Sequence, residues 1–165
     1  MLSHSQLTRL ANLESIWDDF APDARERTKR FADEVQTIPR TRSGRMSTRA
    51  SSYDVIKVWV PARQPVVEAT EICLSIYGPI VTWLPSKVAG GRVDGYRFPQ
   101  NDLARLALRS VDWIGQLVGA LADRHGLHIL RTEEASRVFP AEIQGFCDGD
   151  QPTVAEVVFQ DGIGD

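Results

Sequence analysis

The apolar residues change period partway along the chain, and that change limits the folds open to it. Over residues 5–20, Leu7, Leu10, Leu13, Trp17 and Phe20 recur at three- and four-residue steps, which places them on one helical face. Pro22 suits the first turn of a second helix, where Ala24, Thr28, Phe31 and Val35 keep the four-residue step until Pro39. From residue 54 the step shortens to two. In DVIKVWV, Ile56, Val58 and Val60 fall on one face of a strand, with Lys57 and Trp59 on the other. Helices first and strands afterwards make an α+β arrangement.

The rest of the chain fills in that plan. Pro65 opens a helix through Tyr77, which Gly78 and Pro79 close. IVTWL (80–84) is a second strand stopped by Pro85, and residues 88–98 form a third, with a glycine bulge or a turn at Asp94-Gly95. Asn101 or Asp102 caps the longest helix, 101–125, whose stripe includes Leu106, Ile114, Leu117 and Leu121 and which Gly126 ends. LHILR (127–131) is a strand, a loop or short helix follows, and VAEVVF (154–159) is the last strand. The expected fold is therefore an N-terminal αα-hairpin (1–36), a basic arm or linker (37–53) and a sheet domain (54–165). That domain has the two-layer, ferredoxin-like βαββαβ order with one extra C-terminal strand.

Hydrophobic residues make up 42% and charged residues 25%, the mixture of a soluble globular protein. No apolar run approaches the roughly 18 residues of a membrane span. The first twenty residues alternate polar and apolar, unlike a secretory leader, so a cytoplasmic setting and no membrane contact are expected. Cys73 and Cys147 lack CxxC neighbours, which argues against structural zinc, and the expected compartment argues against a disulfide.

Charge is segregated along the chain. Residues 24–49 carry eight basic and three acidic side chains, a net of +5, whereas 132–165 carry one basic and eight acidic, a net of −7. The basic side chains are sixteen arginines and three lysines, and arginine is the better partner for carboxylates and phosphates. The stretch TIPRTRSGRMSTR holds Arg40, Arg42, Arg45 and Arg49 with no acid, a composition unlike that of a glycine–serine linker.

The remaining candidates fall to plainer readings. His125 and His128 sit either side of a helix-ending glycine and need not share a face, so no metal is expected there. Asp148 and Asp150 lack the remaining positions of a calcium loop, and Glu133 and Glu134 read as solvated acids. Cys73 lies among apolar residues and reads as an inert core thiol. AGGR (89–92) lacks the lysine and hydroxyl of a phosphate-binding loop. No catalytic residue, metal ligand or cofactor is assigned.

The expectation is a non-enzymatic interaction protein: an assembly subunit, an adaptor, an inhibitor or immunity-type binder, or a phage-like structural protein. Its partner-binding residues are Arg40, Arg42, Arg45 and Arg49, joined by Lys57, Trp59 and Trp83 if the last three share an open sheet face. A protein partner or self-association, with the −7 segment of a second copy meeting the arginines, leads this reading. Nucleic acid bound through Arg40–Arg49 comes next, and a small metal-dependent hydrolase or nuclease third.

Overall fold

A computed structural model of the chain describes residues 1–47, 51–90, 112–139 and 152–160. The described elements are α1 (His4–Ala11), a 3-10 turn (Trp17–Asp19), α2 (Ala24–Gln36), β1 (Arg42–Ser47), β2 (Tyr53–Trp59), β3 (Val66–Ser75), β4 (Ile80–Ala89), α3 (Trp113–Arg124), β5 (His128–Ile129), α4 (Thr132–Ala135) and α5 (Val154–Val158). The fold is α+β.

Its centre is a mixed sheet of five described strands in the order β1-β2-β3-β4-β5. The first four form an antiparallel meander, and β5 runs parallel to β4 through Ile80↔His128 and Val81↔Ile129. A ferredoxin-like order would need a helix between β2 and β3. Residues 66–75 are instead a strand, and this corrects the helix expected from Pro65 to Tyr77. β3 is a middle strand with Ala69 through Ser75 buried on both faces, so its sequence loses the polar–apolar alternation that marks a half-exposed strand.

Helices cover both sides of the sheet. On the first face, Tyr53, Val55, Cys73, Ile80 and Leu84 pack with Leu7 and Leu10 of α1 and with Val154, Val157 and Val158 of α5. On the second, Ile56, Val58, Ile72, Leu74, Val81 and Trp83 pack with Phe31, Ala32 and Val35 of α2 and with Ile114, Val118 and Leu121 of α3. The expected αα-hairpin is thereby corrected: α1 and α2 belong to opposite layers.

The single helix expected over 5–20 stops at Ala11. Leu13 adopts a left-handed φ of 59°, and the chain turns there, burying Ile16 and Trp17. Ile16 N–H donates to the Tyr77 carbonyl (2.8 Å) and Trp17 Nε1–H to that of Ile76 (3.0 Å), so the link from α1 to α2 passes around the β3–β4 turn.

Other expectations fall at element ends. β4 continues past Pro85 to Ala89, and the proline, opposite Thr70, leaves the strand one N–H fewer. α3 begins at Trp113, where Asp112 Oδ1 accepts from Gly115 N–H (2.7 Å); residues 101–111, with Leu106, lie outside the described residues. The expected stop at Gly126 is present. This residue has φ 65°, and Gly126 N–H→Asp123 O with Leu127 N–H→Ala122 O completes a Schellman cap. Residues 154–158 form a helix where a strand was expected. Thr153 and Glu156 make a reciprocal capping box, and the buried Val154, Ala155, Val157 and Val158 have helical spacing.

Candidate partner-binding surface

The arginine stretch does not hang free. Residues 42–47 form β1, outermost of the described strands, paired antiparallel to β2 from Arg42↔Trp59 to Ser47↔Asp54. Strand alternation sends its two arginines to opposite faces. Arg42 lies on the first face beside Trp59. Arg45 lies on the second beside Ile56, where its guanidinium pairs with Asp54 Oδ2 at 2.5 Å. Arg40 sits in the preceding turn with a left-handed φ of 66°, and Ser43 Oγ–H fastens the strand to α2 by donating to the Gln36 carbonyl (3.1 Å). Arg40, Arg42 and Arg45 are all exposed; Arg49 lies outside the described residues. They line an edge and do not converge on one point.

Lys57, Trp59 and Trp83 do not form a shared open face. Trp59 and Trp83 point to opposite sides of the sheet and are 5% and 7% exposed. Trp83 packs under α3, where a Cβ at Gly119 would sit 3.3 Å from its ring. Lys57 is buried, with its Nζ 3.3 Å from Glu71 Oε2, and Ser86 Oγ–H donates to the same oxygen (2.9 Å). These three residues are interior.

A second cationic feature meets the edge at Arg45. Helix α2 carries four basic residues in two kinds. Arg27 pairs with Asp23 (3.2 Å) and Arg30 with Glu26 (3.3 Å), both one helical turn away. Arg25 and Lys29 are exposed, and among the described residues neither has an ion-pair partner. With Trp17, Thr28, Arg45 and Asp54 they line a groove of about 230 Å³ between α2 and the sheet. The Arg25 guanidinium lies 5.0 Å from the centroid of the Trp17 ring, a cation–π contact. Asp54 is 8% exposed; its Oδ1 is sealed from solvent and has no hydrogen-bond partner. The residue count registered this charge only as a net of +5. The finer signal was in the spacing, since Asp23–Arg27 and Glu26–Arg30 are i,i+4 pairs and Arg25–Lys29 is an i,i+4 pair of like sign.

The histidines separate. His125, the C-cap of α3, is buried against α2. His128 Nε2 lies 2.9 Å from Glu134 Oε2, and Leu2 N–H donates to Glu134 Oε1 (2.5 Å). Glu134 is thus a buried acceptor with both oxygens engaged, which corrects its reading as a solvated acid. His128 and Glu134 line a cleft with Met1, Asp123, Arg131 and Glu133; its described lining includes no hydroxyl or thiol nucleophile. The arrangement ties the N-terminal segment and β5 to α4. Among the described residues, no group of three or more His, Cys, Asp or Glu side chains is placed to hold a metal ion. Cys73 lies fully buried in the sheet core, while Cys147, Asp148 and Asp150 fall outside the described residues. No described helix is long and apolar enough to cross a membrane.

No protein-family model, curated protein or solved structure matches the chain.

Proposed function

We propose that the chain is a non-enzymatic binding protein that receives an acidic, extended segment of another protein along β1. The observation that carries this reading is the exposed outer strand, with arginine on both of its faces. An outer strand presents backbone N–H and C=O groups that an added strand can pair with. Arg40 and Arg42 then select for carboxylates beside that ladder, while Arg45 is held by Asp54.

The same arginines oppose pairing of β1 with β1 of a second copy, because two arginine-bearing edges would lie side by side. A contact between β1 and the acidic C-terminal segment of a second copy joins two different surfaces, so it closes only into a ring or runs on as a filament. An acidic strand from a different protein meets neither obstacle. An adaptor or inhibitor role fits this better than a self-assembling subunit, and the reading places the protein in the cytoplasm.

Nucleic acid is the second reading, since phosphates would satisfy the same cations. Fluorescence anisotropy with a labelled peptide alternating Glu and Val, alongside single-stranded RNA and duplex DNA, separates the two. The expected result is saturable peptide binding that falls with salt and weakens in Arg40→Ala/Arg42→Ala. Tight binding of RNA or DNA with none of the peptide would replace the first reading by the second.

A further inference from the structure

We infer that the groove between α2 and the sheet is a carboxylate pocket, in which Arg25 and Lys29 hold an Asp or Glu side chain of the acidic segment bound at β1. The inference rests on the binding reading above and names the second point of attachment.

Three observations lead to it. On a helix, residues four apart lie about 5–6 Å from one another at Cβ, so Arg25 and Lys29 present two donors to one anion. Their like charges repel without a ligand, and the chain does not relieve them as it relieves Arg27 and Arg30. The repulsion becomes attraction when a carboxylate lies between them.

Continuity with the edge is the second. Arg45 belongs both to β1 and to the groove lining, so a strand added outside β1 runs beside the groove mouth. A peptide placed there can send an alternate side chain toward α2.

The third observation decides between a peptide and a phosphate backbone. Asp54 also lines the groove, a negative charge beside Arg25, Lys29 and Arg45. A polypeptide can place one carboxylate between Arg25 and Lys29 and neutral residues beside Asp54. A DNA phosphodiester backbone offers acceptors only, and brings further negative charge against the Asp54 carboxylate.

The test compares two double variants of equal charge loss, Arg25→Ala/Lys29→Ala and Arg27→Ala/Arg30→Ala, using the labelled Glu–Val peptide and its Gln–Val counterpart. Circular dichroism confirms that both fold. Loss of Arg25 and Lys29 should weaken the Glu peptide about tenfold, the size of two partly screened ion pairs. Loss of Arg27 and Arg30 should change it by less than about threefold, because those cations are already paired. The Gln peptide should not distinguish the two variants. Equal losses in both variants mean a diffuse charge effect and overturn the pocket. Peptide binding that depends on Arg40 and Arg42 yet ignores Arg25 and Lys29 also overturns it, while leaving the edge reading standing. A peptide that fails to bind the unaltered protein overturns both.

Discussion

His125 and Glu34 meet across the α2–α3 interface with Nε2 3.2 Å from Oε1, in an orientation that forms no hydrogen bond. Glu34 also pairs with Arg124, and the His125 ring stands edge-on to Phe31 at 6.4 Å. Burial, followed by the positive charges of Arg124, Arg30 and Arg27, holds the His125 pKa below its ordinary 6.5. The folded protein therefore keeps this imidazole neutral where the unfolded chain takes up a proton.

Acidification should destabilise the protein through this residue. As pH falls below 6.5 the unfolded state binds the proton first, so stability declines until the lowered native pKa is reached and then levels off. Urea midpoints across pH 7 to 5, the range in which an ordinary histidine titrates, should drop more steeply in the unaltered protein than in His125→Gln. Parallel curves for the two proteins would show that His125 does not carry the dependence.

The Lys57–Glu71 pair should be costly to break singly and cheap to replace whole. Glu71 is fully buried, so Lys57→Met removes the cation paired with a carboxylate inside the sheet and should cost about 3–5 kcal/mol. The double variant Lys57→Met/Glu71→Leu should recover most of that loss, as read from urea midpoints at unchanged slope.

Ile114 is 4% exposed and packs in the second-face core. Its truncation to alanine should cost about 2–5 kcal/mol, and thermal unfolding indistinguishable from the parent would contradict the packing of α3.

Gly126→Ala combines two penalties. Its φ of 65° disfavours a side chain, and the new Cβ would sit 2.5 Å from Arg27 Nη1. The backbone strain alone should cost about 1 kcal/mol, because Arg27 is long enough to swing aside. A variant as stable as its parent in a urea titration would mean that the cap is not formed.

What could be read from the sequence followed the local signals. The α3 stripe, its stop at Gly126 and the period-two run of β2 all agreed with tertiary structure. The failures came where burial erased the pattern. Glu71, fully buried in a middle strand, reads as a helix-former until its partner Lys57 is known, and that pairing joins two strands. Val154–Val158 reads as a strand because valine is a strand-former; the signal against it is Thr153 with Glu156, a pair that fixes a helix start. The edge arginines were legible, although their division between two faces needed the β1 register. The groove was not legible, since Trp17 and Asp54 reach Arg25 and Lys29 only through the turn around β3–β4.

That turn has a consequence for how the protein comes apart. With α1 and α2 in opposite layers, the N-terminal helix can detach from Tyr53, Leu84 and Val157 while Phe31 stays seated on Ile56 and Ile72. Native-state hydrogen exchange should therefore resolve two opening units. Amides of α1 and α5 would exchange together at lower free energy, and those of α2, α3 and the middle strands would persist until global unfolding. The α2 wall of the groove belongs to the persistent unit, so Arg25 and Lys29 would keep their places through loosening of the other side.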